Sequence, residues 1–432
     1  MVTKLFQRIL RLSKYSSLSL VALFIGFWRE IVVSSHFGLS EELDVYVAIL
    51  GFYLFFGVQI ANTLEMVFIS KGVKIESEEQ ITAQLFNAGK ILLIINIIVA
   101  VVLHNYGKVL ITLFFPGFSI DQISLATLFI DYFILAIFFA NFAGLFRASL
   151  NILKIFSPGL LSGAIVSLIS ALSVIVLSDQ FGLKALVYGF ITGNGVVLIV
   201  LSSVYSWKVG WKGLIKGFKL KPKKSGLWKA AFIVFLGEIC YQGFNMSERS
   251  IASTFSAGTI SAFYYAWILV AVPLSLVISP LSTVVYPKLA KSFTENKIRG
   301  YRLLKQYMVP LFLFSLLVVS GVSWLSDFLV KLIFMRGNFN ASDAQKTADI
   351  LSVLIFSLPF SSFGRLVRYS LYSLSDYKGA SLSQLVTVLT LLTSAHFLTP
   401  LYGIIGLAYS CTIALSFQSI FMLILLRRQI TK

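Results

Sequence analysis

Two arginines stand where an apolar chain tolerates them least. Arg29 lies in GFWREIV, residues 26–32, and Arg249 lies in NMSERSI, residues 245–251. A guanidinium offers five N–H donors in a planar fork that grips carboxylate or phosphate oxygens two at a time. Around Arg249 the spacing is informative. Glu238, Gln242, Asn245 and Arg249 fall four, three and four residues apart, so they line one face of a helix. Gln59, Asn62 and, less closely, Glu65 follow at spacings of three and are expected to lie near one face. Glu30, Asp44, Arg365 and Arg368 complete the polar groups that interrupt apolar runs. The candidate binding set is therefore Arg29, Glu30, Asp44, Asn62, Glu65, Glu238, Asn245, Arg249, Arg365 and Arg368. Arginines held in such surroundings suit an anionic ligand.

Neighbours on a helix point apart, so Arg29 and Glu30 are each expected to find a partner elsewhere, as are Glu248 and Arg249. Arg147 and Arg368, near helix ends, read as side chains snorkelling to the interface. No phosphate-binding loop of the G-x-x-x-x-G-K-[ST] type occurs, nor H-E-x-x-H, a nucleophile elbow or a paired-cysteine metal motif. His36, His104 and His396 fall near span ends, and Cys240 and Cys411 lie in apolar runs. The expectation is a protein that is not an enzyme and needs no cofactor, with a coupling ion, Na+ or H+, left open.

The elements that must position these groups follow from composition. Of 432 residues, 57% are hydrophobic and 12% charged, and the mean hydropathy is +0.88. A soluble domain is about 25% charged. Apolar runs of about 20 residues recur from end to end without the two-residue alternation of a barrel strand. The class is all-α and polytopic, with twelve spans expected at 16–36, 44–69, 83–104, 124–147, 158–178, 184–206, 229–251, 260–286, 307–326, 349–372, 380–399 and 402–426. The longest loops on the side away from the termini are expected to be about twenty residues, at 105–123 and 327–348. The net charge of +18 is a matter of sidedness. Of 36 Lys and Arg, 29 fall on the side of the termini and six on the other, with Arg29 inside the first span. This places both termini in the cytoplasm, and it points the basic excess toward the bilayer rather than nucleic acid.

The chain also repeats itself. LFRASLNIL at 145–153 answers LVRYSLYSL at 366–374, and FGLKALVY at 181–188 answers YGIIGLAY at 402–409. Arg29 and Arg249 are 220 residues apart, as are Gly117 and Gly337; Arg147 and Arg368 are 221 apart, as are Gly182 and Gly403. One shared offset marks a duplicated unit. Six spans per unit is an even number, so the repeat is parallel: bundles over 1–206 and 229–432, joined by a basic cytoplasmic connector at 207–228, around a central cavity.

Three stretches resemble a known family. GFWREIVVSSHFGLSEELDVYVA (26–48) resembles the first-span signature of the MurJ/MviN lipid II flippases of the multidrug/oligosaccharidyl-lipid/polysaccharide exporter superfamily, through Gly26, Phe27, Arg29, Glu30, Phe37, Gly38 and Asp44. Residues 247–292 are similar to the family's seventh-to-eighth-span stretch, through Arg249, Gly258, Tyr264, Tyr265, Ala266, Pro273, Pro287 and Leu289. FMRGNFNASDAQKTADIL (334–351) is similar to its F-x-R-G-x-F-x-x-x-D loop. Where lipid II flippases carry further arginines, this chain has Leu23, an apolar stretch near Gly57, and Trp267–Ile268.

The resemblance implies a flippase of the bacterial inner membrane that moves an undecaprenyl-pyrophosphate-linked glycan by alternating access. The cargo stays open between lipid II and a precursor of O-antigen, capsule or exopolysaccharide. Arg29 would hold the pyrophosphate, assisted by Arg249 or a tenth-span arginine. Glu30, Asp44, Glu65 and Glu238 would shape the sugar-facing cavity or couple to an ion. A glycan polymerase or glycosyltransferases would be partners. The alternatives are a cation-coupled drug or metabolite exporter of the same superfamily and a non-transporting scaffold of a polysaccharide assembly complex.

Overall fold

The structure, a computed structural model, describes residues 2–72, 77–221, 227–374 and 376–431; the side chains of 2–16, 69–72, 227–234, 236–238, 241, 279–280, 282–284 and 377 lie outside the description. Every regular element among the described residues is helical. In the first half these are α1 (Val2–Phe37), α2 (Glu41–Tyr53), a π-helical turn (Leu54–Gln59), α3 (Ile60–Gly72), α4 (Glu78–Phe114), α5 (Ile120–Ile152), α6 (Ser157–Phe181) and α7 (Lys184–Lys219). In the second half they are α8 (Leu227–Ala252), α9 (Thr259–Pro273), a π-helical turn (Leu274–Ile278), α10 (Ser279–Glu295), α11 (Lys297–Trp324), α12 (Ser326–Phe334), α13 (Ala341–Leu354), a short 3₁₀ turn (Ile355–Ser357), α14 (Leu358–Ser373) and α15 (Tyr377–Thr431).

Ten described segments are long and apolar enough to cross a bilayer. One of them, Lys378–Thr431, has 54 residues, room for two crossings of about 20 residues each. It bends at Gly403, whose φ of 57° and ψ of −132° interrupt the helix. With α8, whose 26 residues reach about 39 Å, the twelve expected crossings are all accounted for.

The duplication is written in backbone geometry as well as sequence. The π turns begin at Leu54 and Leu274, 220 residues apart. Ser119 and Asn340, 221 apart, each close a capping box on the helix that follows, Ser119 with Gln122 and Asn340 with Asp343. Gly182 (φ 55°, ψ −139°) adopts nearly the conformation of Gly403, a region open to glycine and closed to most residues. The halves diverge at Pro359, which stands where α5 has Phe138. Pro lacks an N–H and sits in the first turn of a helix, so α13 and α14 are separate where α5 is continuous.

The loops expected at 105–123 and 327–348 are instead short turns, 115–119 and 335–340. The difference comes from the capping boxes, which start α5 and α13 early, and from α4 and α12, which run on to Phe114 and Phe334. Residues 207–219 of the expected connector are likewise helical. Gly210 (φ 70°, ψ 160°) bends α7 there, leaving Trp207 and Trp211 87% and 80% exposed beside Lys208 and Lys212. Gly217 lies against Thr82 so closely that a Cβ would come within 2.4 Å of its side chain, which seats this segment on α4.

Contacts divide the chain into two compact units: 1–37, 48–113 and 119–236 in one, and 38–47, 114–118 and 237–432 in the other. In the first, α6 packs on α7 through small residues. A Cβ on Gly189 would meet Ser173 at 2.5 Å, and one on Gly193 would meet the Val166 backbone at 2.9 Å. Close backbone approach of this kind is how helices associate in lipid, where apolar burial gives no driving force. Leu64, Phe68, Leu92, Leu145, Leu201 and Tyr205 form its buried cluster. In the second, Tyr265 of α9 packs against Phe334 and Phe339 in tilted and edge-on contacts, all three rings fully buried.

Candidate functional site: an arginine in a cavity of the second unit

α8 presents Asn245, Glu248 and Arg249, and α9 presents Tyr264, Trp267 and Ile268, to a cavity of about 230 Å³ that Ile260 and Ala271 also line. Glu248 and Arg249 do diverge, as helix neighbours should. Glu248 is 5% exposed, and its Oε2 accepts the indole N–H of Trp267 at 2.7 Å. Arg249 forms no ion pair with any described residue, and its buried Nη1 has no hydrogen-bond partner among them. Asn245 Nδ2 donates to Gln242 Oε1 at 3.3 Å. The stripe read from sequence is thus present over Gln242, Asn245 and Arg249, while the Glu238 side chain lies outside the described residues. A buried cationic donor left open by the fold is costly unless a ligand completes it. The cavity can take an anion at Arg249 and a polar or aromatic-stacking group beside it.

Asp44 departs from the expected role. Its Oδ2 accepts from Gly258 N at 2.7 Å, and its Oδ1 accepts from Ser261 N at 2.7 Å and from the Ser261 hydroxyl. These are the orphan donors at the start of α9, so the carboxylate caps that helix and complements its dipole. With its lone pairs committed and 3% exposure, Asp44 is a structural cap. Nearby, Leu39 N donates to Asp343 Oδ2 at 3.3 Å, and Lys346 Nζ donates to Ala257 O at 2.8 Å. Gly117 packs so tightly that a Cβ would fall 1.9 Å from Ser253 O.

In the first unit Arg29 pairs with Glu30 through Nη2 and Oε1, contrary to the expectation for adjacent residues. A three-methylene stem is long enough to curl back around the helix. A carboxylate only 6% exposed has little water to turn to. Glu65 accepts from Arg147 Nε at 2.5 Å and from Asn151 Nδ2 at 2.8 Å, and Arg147 Nη2 donates to Asn62 at 3.2 Å. Arg147 therefore does not snorkel; it closes a polar network between α3 and α5, and Asn62 and Glu65 belong to that network. Gln59 does not share their face. It ends the π turn and is buried, while Asn62 is exposed.

Two buried couples in this unit join residues far apart in the chain, partners that spacing does not reveal. Asn141 donates to Asn96 Oδ1 and to Phe56 O, both at 3.0 Å, the second a carbonyl of the π turn. Tyr53 donates to Asn194 at 2.9 Å. The signal was a single amide in each apolar run. In the second unit Arg365 and Arg368 share a face of α14, and both terminal nitrogens of Arg368 lie 3.2 Å from the Gln384 side-chain amide. Arg368 Nε has no hydrogen-bond partner among the described residues.

Comparison with known proteins bears on this geometry. A profile described as Lipid II flippase MurJ matches residues 33–432. A probable lipid II flippase MurJ of Helicobacter pylori strain J99 is 26% identical over 334 residues, covering 72% of this chain and 71% of that protein. One from Borreliella burgdorferi is 25% identical over 429 residues, covering 90% and 78%. Among solved structures, a lipid II flippase MurJ in an inward closed conformation superposes with a TM-score of 0.81 at 20% identity, covering 96% of this chain and 87% of that one. An inward-facing multidrug resistance transporter of the MATE family, in the MOP superfamily, reaches a TM-score of 0.81 at 14% identity, covering 96% and 94%. Both likenesses concern the fold. With 400 of its 432 residues matched by the family profile, the chain belongs to the MurJ lipid II flippase family.

Proposed function

We propose that this protein is a flippase for an undecaprenyl-pyrophosphate-linked saccharide, carrying it from the cytoplasmic to the outer leaflet of the bacterial inner membrane, and that the saccharide is that of lipid II. The observation that carries the reading is Arg249: a guanidinium with an open buried donor, lining a cavity within a membrane-embedded helix pair. A pyrophosphate supplies the anionic oxygens that this donor lacks. The α14 arginines, Arg365 and Arg368, assist along the path; Arg29, paired with Glu30, does so only by exchanging that carboxylate for the pyrophosphate.

Both termini face the cytoplasm, in keeping with the 29 basic residues on that side. The two halves, 1–206 and 229–432, joined by 207–228, give alternating access; the compact units depart from these halves in that 38–47 and 114–118 belong to the second and 207–236 to the first. The chain carries no phosphate-binding loop, so membrane potential or an ion gradient drives the step. Each charge moved contributes about 2.3 kcal/mol per 100 mV. Enzymes that assemble or polymerise the glycan supply and consume the cargo.

The test is rescue of a bacterium depleted of its own lipid II flippase. The wild-type chain restores growth, and Arg249→Ala, expressed to the same membrane level, does not. Failure of the wild type to rescue, together with translocation of an O-antigen or capsule precursor in proteoliposomes, would move the assignment to that glycan.

A further inference from the structure

We infer that Trp267 is a sugar platform, fixed by Glu248 so that its indole face meets the first saccharide ring beside the pyrophosphate. This rests on the flippase reading above and names the part of the cargo that the second unit recognises.

The indole N–H is directed at Glu248 Oε2, 2.7 Å away on the neighbouring helix. An indole in lipid ordinarily turns its N–H toward headgroups. Here it is held by a carboxylate that is 5% exposed, a group expensive to bury for packing alone. The hydrogen bond leaves the ring a fixed orientation in the cavity wall, with Tyr264, three residues earlier on α9, lining the same cavity. Glu248 also balances the charge of Arg249 without bonding it, which keeps the guanidinium open.

A fixed aromatic plane beside an open cation fits a ligand with a charged end joined directly to a ring that has one apolar face. A glycosyl pyrophosphate has that form. Its sugar is attached at the phosphate, and the C–H groups on one face of a pyranose carry partial positive charge. The indole face is negative, so the two attract by quadrupole and weak C–H contacts. Asn245, on the Arg249 side of the cavity, offers an amide to a ring hydroxyl or acetamido group.

The experiment measures binding to the full-length protein in nanodiscs with two probes: undecaprenyl pyrophosphate bearing one N-acetylhexosamine, and the same carrier without sugar. Trp267→Ala weakens the glycosylated probe about tenfold and the bare carrier less than about twofold. Trp267→Phe keeps a ring but loses the tether and weakens the glycosylated probe about threefold. Glu248→Gln keeps an acceptor for the indole and stays within about twofold. Should Trp267→Ala fail to fold, the Phe variant carries the test. Equal weakening of both probes in the Trp267 variants, or no weakening of either, overturns the platform. Arg249→Ala is expected to weaken both probes about equally. If it changes neither, the anion seat fails, and the flippase reading falls apart from the question of the platform.

Discussion

The two halves place arginines at matching points and treat them oppositely. In the first half Arg29 is bonded to Glu30, and Arg147 to Glu65. In the second, Arg249 follows its glutamate rather than preceding one, and that glutamate is bonded to Trp267. Arg368, the repeat-mate of Arg147, faces the neutral amide of Gln384. Among the described residues, then, Arg29 and Arg147 are paired with carboxylates, whereas Arg249 and Arg368 have none within ion-pair distance. Buried couples follow the same trend. Asn96 and Asn141 in the first half answer Ser315 and Ser362 in the second, a hydroxyl pair at 3.1 Å. On the flippase reading, the anion falls chiefly to the second half, while in the first half the Arg147–Glu65 pair joins α3 to α5.

The largest effect that would break this contrast is expected at Arg249. Arg249→Ala should cut translocation in proteoliposomes about 30-fold, the loss of one charged hydrogen-bonding group, with no change in thermal unfolding temperature. An equal loss of transport from Arg147→Ala, without loss of stability, would show that the halves are not specialised. Next comes stability in the first half. Glu65→Ala strands Arg147 and should cost about 2 kcal/mol, read from thermal unfolding in detergent. The double variant Glu65→Leu/Arg147→Met should recover most of that.

A smaller difference is expected between the amide and hydroxyl couples. Asn141→Leu should cost about 2 kcal/mol, because it orphans both Asn96 Oδ1 and Phe56 O. Ser362→Ala should cost about 0.5 kcal/mol, because Ser315 keeps its own bond to Leu311 O. The smallest effect sharpens the symmetry. Gly182→Ala and Gly403→Ala should each cost about 1 kcal/mol and match each other closely. Neither site has an atom within 4 Å of a built Cβ, so the penalty is one of backbone conformation alone.

Much of this was legible along the chain. Twelve apolar runs and one recurring offset gave the helices and their duplication, because hydropathy and repetition are local signals. Arg249 and Asn245 came from helical spacing. What escaped was whatever depends on a distant partner or a change of helical pitch. Nothing near Asp44 announces that its acceptors are taken by Gly258 and Ser261, more than 200 residues on. A π turn such as Leu54–Gln59 leaves no mark in hydropathy, so a helical wheel drawn through it misplaces the residues on its two sides. Arg147 was read by its position near a helix end, and only the fold brings Glu65 to meet it.

The short turns at the lysine-poor end of the molecule decide how its topology can be mapped. At 115–119 the chain lies on the Ser253 carbonyl with no space for a methyl group, so an epitope or reactive cysteine grafted at Gly117 would report on a damaged protein. Leu113, 71% exposed, and Trp324, 85% exposed, leave room for a label that Gly117 does not.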